Sequence, residues 1–355
     1  MEKELSDFSS LQLYIGIDVH KRQWSVSIYS NDAHHRTFSQ PPHPQALKSY
    51  LDKHFPNARI SCAYEASKFG FWIHRQLVSY GYDCMVVNAA DIPTSSKDTT
   101  NKTDPRDSRK IAKSLRAGLL TAIHVPDRIV EGDRHLFRYR KKLWADLVRV
   151  KNRIKDKFIG TGIPIPTQFD NSFWTKAFLL WLKEAQLPNS NTRLTLDLLL
   201  EQYHLLYRLF LKTSIQVRRL QRLERYKNNA KLLRTIPGIG PLTTVQLLTE
   251  IQDIDRFSSF KKFNSFVGFK PTTHASGEHD WRGRITYRRH NALRSALVEC
   301  AWSTVSADPV MLQRYEQLKQ RHTAKRAIII IARKLLSRIY FVLKNKKPYE
   351  IGLTR

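Results

Sequence analysis

The sequence predicts an α/β domain, then an antiparallel coiled coil, then a mainly α-helical domain carrying a helix-hairpin-helix-like element. The boundaries fall at 1–128, 129–230 and 231–355. Three patterns carry that division. Strand-like and helix-like runs alternate through the first third, as in a sheet covered by helices. Apolar residues step by four and three through the middle, the spacing of a coiled-coil seam. The last third keeps helical spacing, punctuated by glycine and proline.

In the first third, "LYIGIDVH" (Leu13–His20) and "WSVSIYS" (Trp24–Ser30) read as adjacent strands across a tight turn at His20–Gln23, with "HHRTFSQ" as a third. Pro41, Pro42 and Pro44 break the pattern, and "QALKSYLDKHF" then has the spacing of a short amphipathic helix. "RISCAYEA" (Arg59–Ala66) is a strand, "KFGFWIHRQLVSYG" a helix ending at Gly81, and "DCMVVNA" (Asp83–Ala89) a run suited to a buried strand. "TDPRDSRKIAKSLRAG" opens with a helix-start signal and closes at Gly118.

In the middle, Leu143, Leu147, Val150 and Ile154 form one seam. Leu199, Tyr203, Leu206, Phe210, Thr213, Val217 and Leu220 form another, antiparallel to the first if the two pair within one chain. Between them "GTGIPIPTQFDNSFW" is loop-like. The flanks are basic, with Arg149, Lys151, Arg153 and Lys155 on one arm and Arg218, Arg219, Arg222 and Arg225 on the other. Charged flanks commonly only face solvent. Their single sign here suits nucleic-acid contact or subunit assembly as well.

Beyond the seams, "LLRTIPGIGPLTTVQLLTEI" (Leu232–Ile251) reads as two helices joined by Pro237-Gly238-Ile239-Gly240-Pro241, and "SFKKFNSFVGF" as another. An arginine-rich loop follows from His274. Asn291 then caps "ALRSALVECAWSTVS", and "AKRAIIIIARKLLSRIYFVLKN" is a long buried helix.

Composition bounds the partners. The 355 residues carry a formal charge of +29 and an isoelectric point near 10.2. Such a surface favours a polyanion, nucleic acid first, through counterion release. An anionic membrane is the rival, but runs such as "AIIIIA" are too short to span a bilayer. The N-terminus has no apolar signal segment, and three cysteines without a CxxC argue against a disulfide framework or a zinc knuckle. A cytoplasmic protein is expected, working at the nucleoid.

Three constellations can carry chemistry. Asp18 ends the first strand, Glu65 ends another, and Asp104 and Asp107 lie one helical turn apart in "KTDPRDS". Oxygen ligands converging from strand ends and a helix can hold Mg²⁺, with Mn²⁺ as a substitute. Each acid alone equally suits a strand-end turn or the first turn of a helix. Gly238 and Gly240 permit a tight hairpin whose following helix N-terminus can meet a phosphate. A plain helix–helix turn would use the same residues. Ser276, followed by Gly277, stands at the head of a loop containing Arg282, Arg284, Arg288 and Arg289. An activated serine attacks phosphorus, and arginines grip phosphate. The plainer reading is a loop that only binds phosphate. His274 and His279 are the nearest candidate bases.

These residues carry a resemblance. "YIGIDVHK…YEAS…KTDPRDS" resembles the N-terminal RuvC-like, RNase H-like DEDD domain of the IS110 family of insertion-sequence transposases. "LLRTIPGIGPLTTVQLLTEI…VGFKPTTHASG…GRITYRRHNALRSALVECAW" is similar to that family's serine-bearing domain. The resemblance implies that Asp18, Glu65, Asp104 and Asp107 bind Mg²⁺ and that Ser276 forms a covalent phosphoserine link to DNA. It implies half-sites joined between subunits, in dimers that assemble to a tetramer. A structured non-coding bridge RNA would pair with donor and target double-stranded DNA, which relieves the protein of base reading. One departure stands out: the family pattern has glycine before Asn291, and this chain has His290.

Three readings compete with the guided recombinase. A metal-only RuvC-like nuclease or Holliday-junction resolvase needs the four acids and not Ser276. An architectural DNA-binding protein needs neither. A site-specific DNA invertase of the same family uses both at one locus.

Overall fold

The computed structural model describes residues 8–94, 103–171, 173–276, 279–286 and 290–352, and over 272–276 and 279–284 only the backbone. The chain divides into two compact units, Met1–Pro126 and Asp127–Arg355.

The first unit is built on a five-stranded sheet of β1 (Gln12–Val19), β2 (Trp24–Tyr29), β3 (His34–Gln40), β4 (Arg59–Glu65) and β5 (Asp83–Val87). Their order is β3-β2-β1-β4-β5. β1, β2 and β3 are antiparallel neighbours, whereas β1, β4 and β5 run parallel. This mixed sheet is consistent with the expected RuvC/RNase H-like class.

Alternation along the strands gives the sheet two different faces. One is large and apolar. Leu13, Ile15 and Ile17 lie beside Val26, Ile28, Cys62 and Tyr64, and pack with Leu47 and Leu51 of α1 (Pro44–His54) and Ile73 and Leu77 of α2 (Trp72–Ser79). The other is small, with Gly16, Ser25, Ser27 and Ala63 side by side in register. Helix α3 (Asp104–Arg116) lies on this face. Both faces of β1 are thus covered, which is why its sequence is nearly continuous in apolar residues.

The second unit begins with α4 (Arg128–Thr161) and, after the short α5 (Lys176–Glu184), α6 (Ser190–Leu220). α4 and α6 run antiparallel. Arg140 Nε donates to Ser214 Oγ at 2.8 Å, the Trp144 and Phe210 rings lie 5.4 Å apart, and Lys151 Nζ stands 5.9 Å from the Tyr203 ring. Leu143, Leu147, Val150 and Ile154 are buried as the first seam requires. On α6 the seam shifts. Tyr203, Thr213, Val217 and Leu220 are buried, but Leu196 and Leu200 replace Leu199 toward the N-terminal end. The cause is α5, which the sequence did not announce: Phe178 and Leu182 insert there and turn the pairing into a three-helix core.

The remaining elements are α7 (Glu224–Arg234), α8 (Pro241–Ile251), α9 (Phe260–Val267), β6 (Pro271–Ser276), β7 (His279–Ile285), α10 (Asn291–Ala307), α11 (Pro309–Lys319) and α12 (Ala324–Asn345). Two expectations are corrected. The arginine-rich stretch is not a loop: β6 and β7 pair antiparallel across much of it, their Thr, Trp and Ile being good strand formers. And α10 is capped by His290, whose Nδ1 accepts from Leu293 N at 3.2 Å, so Asn291 is the first helical residue.

Candidate active site

The four predicted acids all belong to the first unit. Asp18 and Glu65 leave the sheet on its small face, since Gly16 pairs with Ala63 and each acid lies two residues further along its strand. Asp104 and Asp107 occupy the first turn of α3, over the same face. Local contacts fix that helix. Ser108 Oγ lies 3.0 Å from Ser25 Oγ and 2.8 Å from Ser27 Oγ, and Arg109 Nε donates to Thr37 Oγ1 at 3.0 Å. The small sheet residues let the α3 backbone approach, and the serines hold it in register.

Asp18 and Asp104 meet through His20, a residue whose sequence context predicts only a turn. His20 Nε2 is 3.1 Å from Asp18 Oδ2 and 3.5 Å from Asp104 Oδ1. One ligand atom from each of the three lies within 4.8 Å of the others. Asp107 is held by Lys110, with Nζ 3.2 Å from Oδ1. The signal for His20 was present in "DVHK": two residues after Asp18 on an extended chain, it shares that acid's side.

Electrostatics fit a cation. Burial raises the Asp18 pKa, His20 opposes that rise, and Asp104 and Asp107 add to it by repulsion. Burial is the main cause, so a cation at this point would offset the cost of keeping Asp18 ionised as well as the repulsion from Asp104 and Asp107. Two carboxylates and an imidazole at this spacing form a donor set that a divalent ion fits; Asp107 and Glu65 share the same side of the sheet but are not members of that close group.

Ser276 lies in the second unit. It is the last residue of β6 and pairs with His279. Arg282 pairs with Thr273 across the hairpin, and Arg284 follows on β7. Arg288 and Arg289 lie outside the described residues, as does Gly277. The base of the hairpin is tied down by Arg294, whose Nη1 donates to Gly268 O and Thr286 O, each at 3.3 Å. His290 follows the arginine-rich stretch, and its Nε2 lies 3.2 Å from Glu250 Oε2. Glu250 is buried and also meets Arg134 Nε at 3.1 Å and Arg138 Nη2 at 2.9 Å. Neither Glu250 nor this use of Arg294 was legible, because their partners are remote in sequence.

The glycine hairpin between α7 and α8 divides in role. Gly238 has φ +84°, and a Cβ there would stand 2.6 Å from Cys300 O and 2.7 Å from Thr304 Oγ1. Its smallness serves packing against α10. Gly240 caps α8 and has open space where a Cβ would go. Of the basic residues, Arg218 and Arg219 are exposed in the last turn of α6. Arg222 lines a cleft of about 550 Å³ with Lys227, Lys231 and Arg234. Arg225 is not part of that surface, because its guanidinium is bound to Asp133 at 2.7 Å. Cys62, Cys84 and Cys300 are free and buried, and among the described residues no helix is long and apolar enough to cross a membrane.

Similarities to known proteins fall on both regions. A transposase family model of the DEDD type matches residues 15–160, and the model described as the transposase IS116/IS110/IS902 family matches residues 230–316. A Sinorhizobium fredii protein named as a transposase is 28% identical over 68% of this chain, a match that takes in only 57% of that protein's length. The transposase for insertion sequence element IS1533 of Leptospira borgpetersenii is 26% identical over 68% of this chain and 70% of its own. The pilin gene-inverting protein of Moraxella bovis is 36% identical over 35% of this chain and 39% of its own. The two family models fall on both units and the relatives match across them: the chain belongs to the IS116/IS110/IS902 family of transposases.

Proposed function

We propose that the protein is a DNA transposase that exchanges strands through a serine–DNA intermediate, guided by a structured non-coding bridge RNA. The observation that carries this reading is the approach of Asp18 and Asp104 around one point at the end of β1, in a chain whose other unit has Ser276 as the last residue of a hairpin strand. Asp18, Glu65, Asp104 and Asp107 hold the cation, and Ser276 is the nucleophile.

In the proposed step, Ser276 Oγ forms a bond to phosphorus while the bond from phosphorus to one deoxyribose oxygen breaks. The serine proton passes to a base and the departing oxygen takes up a proton, so one phosphodiester is exchanged for another. Attack by the released end of a second duplex reverses the step and frees the serine. Arg282, Arg284, Arg288 and Arg289 grip the phosphate and offset its growing negative charge. A bound divalent cation, Mg²⁺ or Mn²⁺, supplies further positive charge against the phosphate. Gly240, Arg218, Arg219 and Arg222 serve as contacts to the nucleic-acid backbone, and Gly238 shapes the hairpin that presents Gly240. Donor and target duplexes and the guide RNA are the partners, in a homo-oligomer of dimers forming a tetramer with α4 and α6 as a coiled-coil assembly arm.

The Moraxella relatives favour a second reading, a site-specific DNA invertase of the same chemistry. A metal-only nuclease or junction resolvase is the contrasting mechanism.

Covalent trapping tests the proposal. Full-length protein is mixed with Mg²⁺, labelled donor and target DNA and RNA from the flanks of its gene, then quenched with detergent. The expected result is a labelled protein band absent in Ser276→Ala and weak in Asp104→Ala. Cut DNA without an adduct, unaffected by Ser276→Ala, would replace the serine mechanism with metal-only hydrolysis. Recombination only between inverted sites of one molecule would assign the invertase role.

A further inference from the structure

The DEDD acids do not account for His20. It follows the last residue of β1 and shares the side of Asp18. Its Nε2 faces two carboxylates from separate elements, at 3.1 Å from Asp18 Oδ2 and 3.5 Å from Asp104 Oδ1. A single N–H suits one acceptor at a time: this nitrogen is hydrogen-bonded with Asp18, and the Asp104 carboxylate stands beside it as a second anionic neighbour. An octahedral ion with ligands at about 2.1 Å sets neighbouring donors about 3 Å apart, close to both observed separations. The His20 side chain is half exposed, so the ring has room to adjust its approach.

We propose that His20 is itself a metal ligand, and that its nitrogen biases the centre toward first-row transition ions such as Mn²⁺ over Mg²⁺. This rests on the metal-dependent reading of the four acids. Mg²⁺ takes oxygen donors and sheds water reluctantly, so an imidazole adds little to its binding. First-row ions gain more from nitrogen, in an order that rises from Mn²⁺ toward Cu²⁺. An all-carboxylate centre would discriminate far less between Mg²⁺ and Mn²⁺. The ring would ligate through Nε2 with its ring proton on Nδ1, both carboxylates staying ionised.

The test uses the full-length chain stripped of metal, with Mn²⁺ as the probe and Mg²⁺ as competitor. Free Mn²⁺ is counted by electron paramagnetic resonance, and the bound ion is read by pulsed methods that detect coupling to ligand ¹⁴N. The wild-type chain is expected to show imidazole nitrogen coupling. His20→Ala should lose that coupling and about tenfold in Mn²⁺ affinity while changing Mg²⁺ affinity by less than about threefold. His20→Asn, which keeps a hydrogen-bonding group without the imidazole, should behave like His20→Ala. Asp104→Ala should weaken both ions.

Bound Mn²⁺ without nitrogen coupling in the wild-type chain would overturn the role of His20 and leave the acid site standing. So would an unchanged ratio of the two affinities in both His20 variants. Mn²⁺ that fails to bind the wild-type chain, or binds equally well to Asp104→Ala, would instead remove the metal-dependent reading itself.

Discussion

Ser108 crosses β1 directly over Gly16. A Cβ on Gly16 would collide with Ser108 O and Ala112 N and come within 3.0 Å of Ala112 Cα. The neighbours that would have to yield are backbone atoms of α3, the helix that carries Asp104 and Asp107. Gly16→Ala therefore has no flexible side chain to push aside. We expect a loss of about 1–3 kcal/mol in stability, as for an overpacked core. Relaxation of that strain lifts the N-terminal turn of α3 away from Asp18, so divalent-ion affinity and strand transfer should fall by more than the loss of folded protein explains. Thermal unfolding and Mn²⁺ binding on one preparation check this. A variant with wild-type Mn²⁺ affinity would show that α3 is not positioned by this contact.

This glycine also marks where sequence reading succeeds and stops. The order of the acids was readable because each sits at the end of a strongly patterned element, and strand alternation and helix-start signals survive in one dimension. What Gly16 does was not readable, since a glycine in a strand does not announce which backbone crosses it. His20 was hidden in an apparent turn. Gly238 invited a phosphate-binding role, but the structure turns its bare face toward Cys300 and Thr304. The charge density of the hairpin bearing Ser276 predicts a loop and masks its strand formers. Glu250 lies in an apolar helical run, and its three cationic or ring partners come from α4 and the cap of α10.

Glu250 makes a prediction with a definite sign. Burial alone would raise its pKa, but the His290 hydrogen bond and the Arg134 and Arg138 charges outweigh it and hold the group at about 2 against an ordinary value of 4.5. A folded-state pKa below the unfolded one contributes stability that is complete above about pH 4.5 and is lost as the pH falls toward 2. Glu250→Gln should remove that acid-dependent contribution and leave Arg134 without its counter-charge. The cost near neutral pH should be about 3 kcal/mol, the scale for breaking a buried pair by removing one partner. Urea unfolding of the two proteins between pH 3 and pH 7 measures it. Curves that stay parallel across that range would mean that the carboxylate is not held in its charged form by this network.

The last prediction concerns the cationic cleft beside α7. Arg222, Lys227, Lys231 and Arg234 converge on it from the end of α6 and one side of α7. Lys227 is partly spoken for by Glu224, 2.7 Å away, and Arg234 Nη1 donates to Ile239 O at 3.2 Å. Arg222 and Lys231 are therefore the better probes of a phosphate contact. Each phosphate neutralised on duplex DNA contributes about 0.9 to the slope of log affinity against log salt, and about 0.7 on a single strand. Arg222→Ala with Lys231→Ala should weaken nucleic-acid binding similarly across sequences and flatten that slope by about 1.4 to 1.8, because backbone contacts position without reading bases. Filter binding at several salt concentrations, with duplex DNA and structured RNA as separate probes, gives both slopes. A flattening confined to one probe assigns the cleft to that nucleic acid. An unchanged slope with both would return the cleft to the class of solvated basic faces, and the +29 charge would then have to act elsewhere on the chain.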